Sequence, residues 1–410
     1  MPEITLLKSH PQWTLANKIY KTLKAHGYQT YLAGGCVRDL LLGVSAKDID
    51  IATAATPDQV KALFTKTIDV GQNFGVTRVI ESGLDIEVAA FRTDGEYKDG
   101  RRPEAVIFSN PEQDALRRDF TVNALFLDLE SLEVIDYVGG LKDLSRKVLQ
   151  TVGAADQRFQ EDHLRVLRAL RFSAQLGFDI EPMTLAAVKN KKDFLKTVSG
   201  ERVRDEILKL LKSERPFVGF EGMITTGIFK VLFSEPPTGA LMLWKNIFPL
   251  PKDLKAEIFW LAFFWPFFEE KSKNEMAAIE DRIKPTRDER KAFKSAQDFI
   301  QHRPQWQQQR LGEKIIFIHQ DIGPSLLAFA ALSDPDMKSE FLDLKKAYER
   351  LAPQGALPEP YLKGEDVESL QGPARGEALH AMYLDQLEGG LNSRAEALAR
   401  LKVYQEGLKK

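Results

Sequence analysis

The stretch YLAGGCVRDLLLGVSAKDIDIAT, Tyr31 to Thr53, decides how the rest of the chain is read. Thr30 to Ala33 reads as a strand, Gly34-Gly35 breaks it, and Val37 to Leu42 returns to helical composition before Gly43 closes it. Ile49 and Ile51 then alternate with Asp48 and Asp50, and a period of two predicts a strand with both carboxylates on one face. Paired glycines ahead of a helix let backbone N–H groups come close to phosphate, and the helix N-terminus adds a favourable dipole. Arg38, in the first helical turn, is in reach of a β- or γ-phosphate; an ion pair with Asp39 is the plainer reading. Two carboxylates on one face suit Mg²⁺, which prefers carboxylate and phosphate oxygens, and two such ions stabilise both the attacking and leaving oxygens of a phosphoryl displacement. Alone, Asp-x-Asp is a weak signal, since most instances are solvated turns and sugar-nucleotide transferases use it too. Cys36 has no histidine nearby in sequence to activate it and reads as a small buried residue.

Outward from this stretch, Leu15, Ile19 and Leu23 mark one stripe of a helix that stops near Gly27. A helix is expected over Pro57 to Phe64, and a strand pair over Val76 to Ile80 and Leu84 to Phe91 that turns at Ser82-Gly83. RTDGEYKDGRRP, Arg92 to Pro103, is polar and glycine-rich and reads as a mobile loop. Val106 to Phe108 reads as a short strand, Asp114 to Leu125 as a helix holding RRDFTVNAL, and Leu127 to Tyr137 as a hairpin. Beyond Thr151 helical periodicity takes over, first with Leu164, Leu167, Leu170 and Ala174 up to Gly177, then with Val203, Ile207, Leu210 and Leu211 before Pro216.

A chain of 410 residues exceeds one hydrophobic core. The formal net charge of −2 says little about partners, because a nucleic-acid binder needs clustered rather than excess basic residues. Such clusters occur at Lys189, Lys191 and Lys192 and at Arg282, Lys284, Arg287, Arg290, Lys291 and Lys294. The single cysteine excludes an intramolecular disulfide and fits a reducing cytoplasm. The scattered histidines offer no zinc spacing. Met1 to Tyr20 lacks the apolar core of an export signal, and the longest apolar run, Ile258 to Phe268, is shorter than a membrane span and contains Pro266. No membrane association is expected.

GGCVRD at Gly34 to Asp39, DID at Asp48 to Asp50, RRDFTVNAL at Arg117 to Leu125, GGLKDL at Gly139 to Leu144 and EDHLRVLRALRF at Glu161 to Phe172 occur in the order found in class II tRNA nucleotidyltransferases. The chain resembles bacterial CCA-adding enzymes and their relatives, the bacterial poly(A) polymerases. That resemblance implies an α+β fold: a polymerase-β-like nucleotidyltransferase head over residues 1–138, with a small mixed sheet, then an all-α neck (139–215), body (216–345) and tail (346–410). It implies that Asp48 and Asp50 hold two Mg²⁺ ions. A third carboxylate orients the primer hydroxyl, and alternation along Asp85 to Phe91 selects Glu87. Gly34, Gly35 and Arg38 then face phosphate, while Arg117, Arg118, Asp119 and Asn123 hold triphosphate and ribose; a helix would set Asp119 and Asn123 one turn apart.

Asp162 and Arg165, three residues apart on an expected helix, project side by side. Cytosine and adenine share an exocyclic amine beside a ring-nitrogen acceptor; carboxylate accepts from the first and guanidinium donates to the second. Guanine and uracil present the reverse pattern and would leave buried groups unpaired. The resemblance gives these two positions that role, with Glu161 in support and Arg168 and Arg171 continuing the face. GERVRDEILKLL, Gly200 to Leu211, resembles the family's buttressing helix, in which Arg204 is placed to pair with either acid.

The expected activity is untemplated addition of C, C and A from CTP and ATP to the tRNA 3′ end, with release of pyrophosphate. The loop residues Arg92, Asp94, Tyr97, Arg101 and Arg102 belong to a segment whose shortened form marks CC-adding members, and here it has full length. Poly(A) polymerases usually carry a basic GRRF-type segment where this chain reads VGQNFGV, Val70 to Val76. An A-adding enzyme remains an alternative, as does a non-catalytic RNA-binding protein on the same scaffold. A glycosyltransferase leaves RRDFTVNAL and EDHLR unexplained. Arg282, Lys284, Arg287, Arg290 and Lys291 are read as phosphate contacts to tRNA. Gly372-Pro373 and Gly376 are expected to turn into a tail helix.

Overall fold

Strand β1, Thr30–Ala33, is buried at every position. The structure is a computed structural model and describes residues 4–69, 75–95, 100 and 106–407. Contacts divide the chain into two units, Met1–Pro236 and Pro237–Lys410. In the first, β1 is joined by β2 (Ile51–Thr53), β3 (Thr67–Asp69), β4 (Val76–Glu81) and β5 (Leu84–Ala90). Strands β6 (Arg92–Asp94) and β7 (Val106–Phe108) form a separate antiparallel ribbon, and β8 (Phe126–Leu127) and β9 (Val134–Ile135) complete the main sheet in the order β3-β4-β5-β2-β1-β8-β9. Among the described residues of the main sheet, the β2–β5 pair is parallel and the other pairs are antiparallel. The helix Trp13–Ala25 buries Leu15, Ile19 and Leu23 against β1 and β5. Tyr31, Phe91 and Phe126 form an aromatic cluster with ring centroids 6.0–6.1 Å apart. The β4–β5 turn falls at Ser82 and Gly83, both with positive φ, which matches the right-handed twist of a two-residue hairpin.

Four local expectations need correction. Asp48 to Asp50 precede β2 rather than lying in it. They are held by Ala33 N–H donating to the Asp50 carbonyl (3.1 Å) and by Ile49 N–H donating to Gln12 Oε1 (3.1 Å). The alternation survives, since Ile49 and Ile51 are both 1 % exposed while Asp48 is exposed. RRDFTVNAL is not one helix: a helix ends at Leu116 and a 3-10 turn occupies Thr121–Asn123. Arg92 and Asp94 belong to β6, so the segment read as a loop is rooted in a ribbon. Asp162 lies between the helices Ala155–Glu161 and Arg165–Leu176, with an extended backbone, rather than on a helix with Arg165.

The remainder of the first unit is helical apart from β10 (Val148–Leu149) and β11 (Asp179–Ile180), a parallel pair too short to leave a readable period. Arg165–Leu176 ends at Gly177, whose φ of 66° forms a left-handed cap, and packs against Gly200–Leu211 and Pro216–Thr226.

In the second unit the apolar run is one helix, Ala256–Glu270, which continues through Pro266. Trp260, Phe263, Phe264 and Trp265 are fully buried there, and the helix Arg287–His302 packs its Phe293 against Phe264. The turn from Gly372 leads into the helix Pro373–Leu387, which shares a small core of Leu362, Val367, Met382 and Leu401 with the helix Arg394–Gly407. No single helix among the described residues is long and apolar enough to cross a membrane.

Candidate nucleotide and metal site

Gly34 leaves β1 with φ 75° and ψ −127°, a conformation that penalises a side chain, and a Cβ there would lie 3.0 Å from Arg118 Nη1. Its N–H donates to the Leu125 carbonyl (2.9 Å), so this amide is committed to the fold. The helix Gly35–Leu41 follows. Arg38 is 4 % exposed and donates to Asp39 Oδ1 and to Asn123 Oδ1. The ion pair with Asp39 is therefore present, and the guanidinium also bridges to the RRDFTVNAL segment. Cys36 is buried, and burial pushes its thiol up to about 12, which removes it as a nucleophile at neutral pH.

Asp48, Asp50 and Glu87 meet through their charges. Burial raises the Asp50 carboxyl, and the neighbouring Asp48 and Glu87 raise it further, to about 7, against an opposing pull from Arg118. The β2–β5 register, Ile51 beside Val88, sets Glu87 level with Asp50. Glu87 is engaged by Arg78, whose Nη2 donates at 2.7 Å. Among the described residues no three carboxylate, imidazole or thiol groups are gathered closely enough to hold an ion by themselves. Two aspartates fit a Mg²⁺ ion that takes its remaining oxygens from water and substrate phosphates. The register that sets Glu87 level with Asp50, two residues from Asp48, favours a cation, because a positive charge there relieves the like-charge crowding that raises the Asp50 carboxyl. Gln12, missed by the sequence reading, clamps this corner: it accepts from Ile49 N–H and donates to the Asp85 carbonyl (2.7 Å).

Arg117 and Arg118 both pair with the buried Asp114, at 2.7 and 2.9 Å. Arg118 also donates to the Asn123 carbonyl (3.1 Å) and lies 4.9 Å over the Phe126 ring. Asp119 and Asn123 touch as the sequence suggested, though across the 3-10 turn: Asn123 Nδ2 donates to Asp119 Oδ1 at 3.3 Å. Asp119 also accepts from Phe120 N–H and twice from Arg168. Its acceptor positions are filled within the protein. Burial alone would raise its carboxyl, but the Arg168 and Arg165 charges and these hydrogen bonds outweigh it and hold it at about 2. The GGLKDL segment supports the same turn: a Cβ on Gly140 would sit 2.3 Å from the Thr121 carbonyl oxygen, and Thr121 Oγ1 donates to Asp143 (2.7 Å).

The Asp162 and Arg165 side chains have different partners, although Arg165 N–H donates to the Asp162 carbonyl (3.0 Å). Both Asp162 carboxylate oxygens accept from Arg202 Nη2 at 3.0 Å, so Arg202 buttresses Asp162 from this helix, and Arg204 pairs with Asp205. Arg165 donates to Glu161 (2.7 Å) and to the carbonyls of Arg158 and Arg117. Arg171 pairs with Glu206. Arg202 was legible only as a charge within GERVRDEILKLL, since helical spacing alone does not say which arginine faces a neighbour. Arg117 joins the two groups, because its carbonyl accepts from Arg165 while its side chain meets Asp114 beside Arg118.

Tyr97, Arg101 and Arg102 lie outside the described residues, as do the first five positions of VGQNFGV. In the second unit Arg287, Arg290, Lys291 and Lys294 are exposed along the helix Arg287–His302. Lys284 pairs with Asp281, and Arg282 is partly buried, which lowers its guanidinium.

The family described as Poly A polymerase head domain matches residues 30–150, and the one described as probable RNA and SrmB-binding site of polymerase A matches residues 177–238. A CCA-adding enzyme of Bacillus pumilus is 47 % identical over 221 residues, 54 % of this chain and 55 % of that protein. A CCA-adding enzyme of Lactiplantibacillus plantarum is 36 % identical over 292 residues, covering 71 % of this chain and 69 % of that one. The chain belongs to the CCA-adding enzyme and poly(A) polymerase family. The matched stretch spans about half the length of the Bacillus pumilus relative. The crystal structure of a Bacillus stearothermophilus CCA-adding enzyme in complex with CTP superposes with a TM-score of 0.70 at 28 % identity, over 98 % of this chain and 99 % of that one. The mixed-sheet head and helical remainder are thus the family's α+β fold. Nucleotidyltransferases of this family generally need a divalent metal.

Proposed function

We propose that the protein is a CCA tRNA nucleotidyltransferase of the cytoplasm, adding C, C and A to the tRNA 3′ end from CTP and ATP without a template. The observation that carries this reading is the β2–β5 register that sets Glu87 level with Asp50, two residues from Asp48, with the Arg118 charge opposing the carboxylates. Asp48 and Asp50 would hold two Mg²⁺ ions, which when bound supply positive charge to the attacking and leaving oxygens. The tRNA 3′-hydroxyl oxygen loses its proton to solvent and bonds to the α-phosphorus, the bond from that phosphorus to the bridging oxygen breaks, and pyrophosphate leaves with that electron pair. Glu87 orients the hydroxyl. Arg117 and Arg118 draw the triphosphate, and Asn123, with Asp119 and Arg168 behind it, holds the sugar.

Asp162 accepts from the exocyclic amine of C or A, and Arg165 donates to the ring nitrogen. For this, Asp162 gives up part of its bond to Arg202, and Arg165 turns a donor away from Glu161 or a carbonyl. Both exchanges cost less for a base that returns the hydrogen bonds than for one that does not. Residues 1–138 and 139–215 are assigned catalysis and base selection, and 216–345 and 346–410 the grip on tRNA through Arg282, Lys284, Arg287, Arg290 and Lys291. The test is a tRNA ending at its discriminator base, incubated with each labelled NTP alone and in pairs and read at nucleotide resolution. Ordered addition of C, C and A is the expected result. Arrest after two C, addition of A alone, or runs of A would each replace it with a narrower or different activity.

A further inference from the structure

Phe172 closes the motif EDHLRVLRALRF without a part in the metal corner or in reading the base, yet three guanidinium groups converge on its ring. Arg171 lies 3.7 Å from the centroid, Arg168 5.2 Å and Arg38 5.6 Å, while the ring is 7 % exposed and meets Phe120 at 5.6 Å. Each arginine has its own carboxylate: Asp39 for Arg38, Asp119 for Arg168 and Glu206 for Arg171. Those acids sit on separate elements, and the helix Arg165–Leu176 brings only Arg168 and Arg171 beside Phe172, so neither draws Arg38 to the same place. An aromatic face does, because its quadrupole attracts a cation lying over it within about 6 Å of the centroid. Two of these arginines hold opposite ends of one pair: Arg168 donates to Asp119, Arg38 donates to Asn123, and Asn123 donates to Asp119.

We propose that Phe172 is a positioning residue for the incoming nucleotide, its ring gathering Arg38 and Arg168 so that the Asp119–Asn123 pair is fixed against the sugar. The inference rests on the reading that this pair faces the nucleotide sugar. Leucine at 172 would fill much of the volume without attracting cations, tyrosine would keep the ring, and fluorinated phenylalanines keep the shape while draining the quadrupole.

Phe172→Leu, Phe172→Tyr and a mono-, di- and trifluorophenylalanine series at this position are compared by KM and kcat for addition of the first C, with CTP against dCTP, and by melting temperature. The expected result for Phe172→Leu is a KM raised about five- to thirty-fold, kcat within about two-fold, and weaker rejection of dCTP. Phe172→Tyr should restore both, and KM should climb along the fluorinated series at constant melting temperature. A flat KM and unchanged sugar preference along that series overturns the proposal, even if Phe172→Leu fails to fold. A wild-type protein that adds no C defeats the functional reading itself; the inference fails separately when the wild type is active and fluorination changes nothing.

Discussion

The corner around Asp50 and the segment around Asp162 treat charge in opposite ways. At Asp50 the carboxyl is crowded by Asp48 and Glu87 and held at about 7, with a single arginine opposing. Around Asp162 the named charges are matched: Asp162 to Arg202, Arg165 to Glu161, Arg168 to Asp119, Arg171 to Glu206. Under the proposed function the first would be completed by a cation and a polyphosphate. The second is already matched within the protein, and under the proposed function it would read a base only by exchanging one set of hydrogen bonds for another. A corner left electrostatically incomplete binds its ligand strongly; a satisfied network discriminates, because the wrong ligand cannot repay the bonds it breaks.

The largest expected effect tests the incomplete corner. Asp48→Ala or Asp50→Ala should lower single-nucleotide addition on the order of 10⁴-fold while tRNA binding, followed by filter retention, persists; retained addition would remove the metal assignment. Next comes the segment rooted in the β6–β7 ribbon. Deleting residues 95–100 should spare addition of both C and reduce the final A by about 10²-fold, and equal survival of the two steps would break the reading of that segment.

Smaller effects belong to the matched network. Asp162→Ala or Arg165→Ala should relax rejection of UTP and GTP by roughly 10- to 100-fold in relative kcat/KM. Unchanged rejection would mean that the base is read elsewhere. The smallest effect sharpens the contrast without catalysis. A carboxyl held at about 7 when folded and about 4 when unfolded favours the native state below pH 4 and loses that contribution as pH rises through 7. Metal-free Asp50→Asn should therefore melt roughly 5 °C above the wild type at pH 8, with a smaller gain at pH 5. Mg²⁺ should stabilise the wild type more at pH 8 than at pH 5. A pH-independent difference would show that Asp50 is not crowded.

Much of the sheet was legible because its signals are local: alternation in β4 and β5, the Ser82-Gly83 turn, and glycine after the strand Thr30–Ala33. β3, β6, β10 and β11 were missed because two or three residues carry no measurable period and owe their pairing to a neighbour. The 3-10 turn at Thr121–Asn123 was read as helix for a related reason. Its residues suit either state, and the close approach of Gly140 to the Thr121 carbonyl, with the Thr121–Asp143 bond, holds the tighter one.

By itself the sequence determined which chemistry is available, because residue type and spacing state what each group can donate, accept or ligate. It named Asp48, Asp50, Asp119, Asn123, Asp162 and Arg165. Only the tertiary structure decided what each group spends its bonds on: Arg38 on Asn123, Asp119 on Arg168, Asp162 on Arg202, and Ile49 on Gln12. These partners lie on other elements, at separations where sequence spacing carries no information. Burial then decided whether a charge was matched, as at Asp119, or left crowded, as at Asp50.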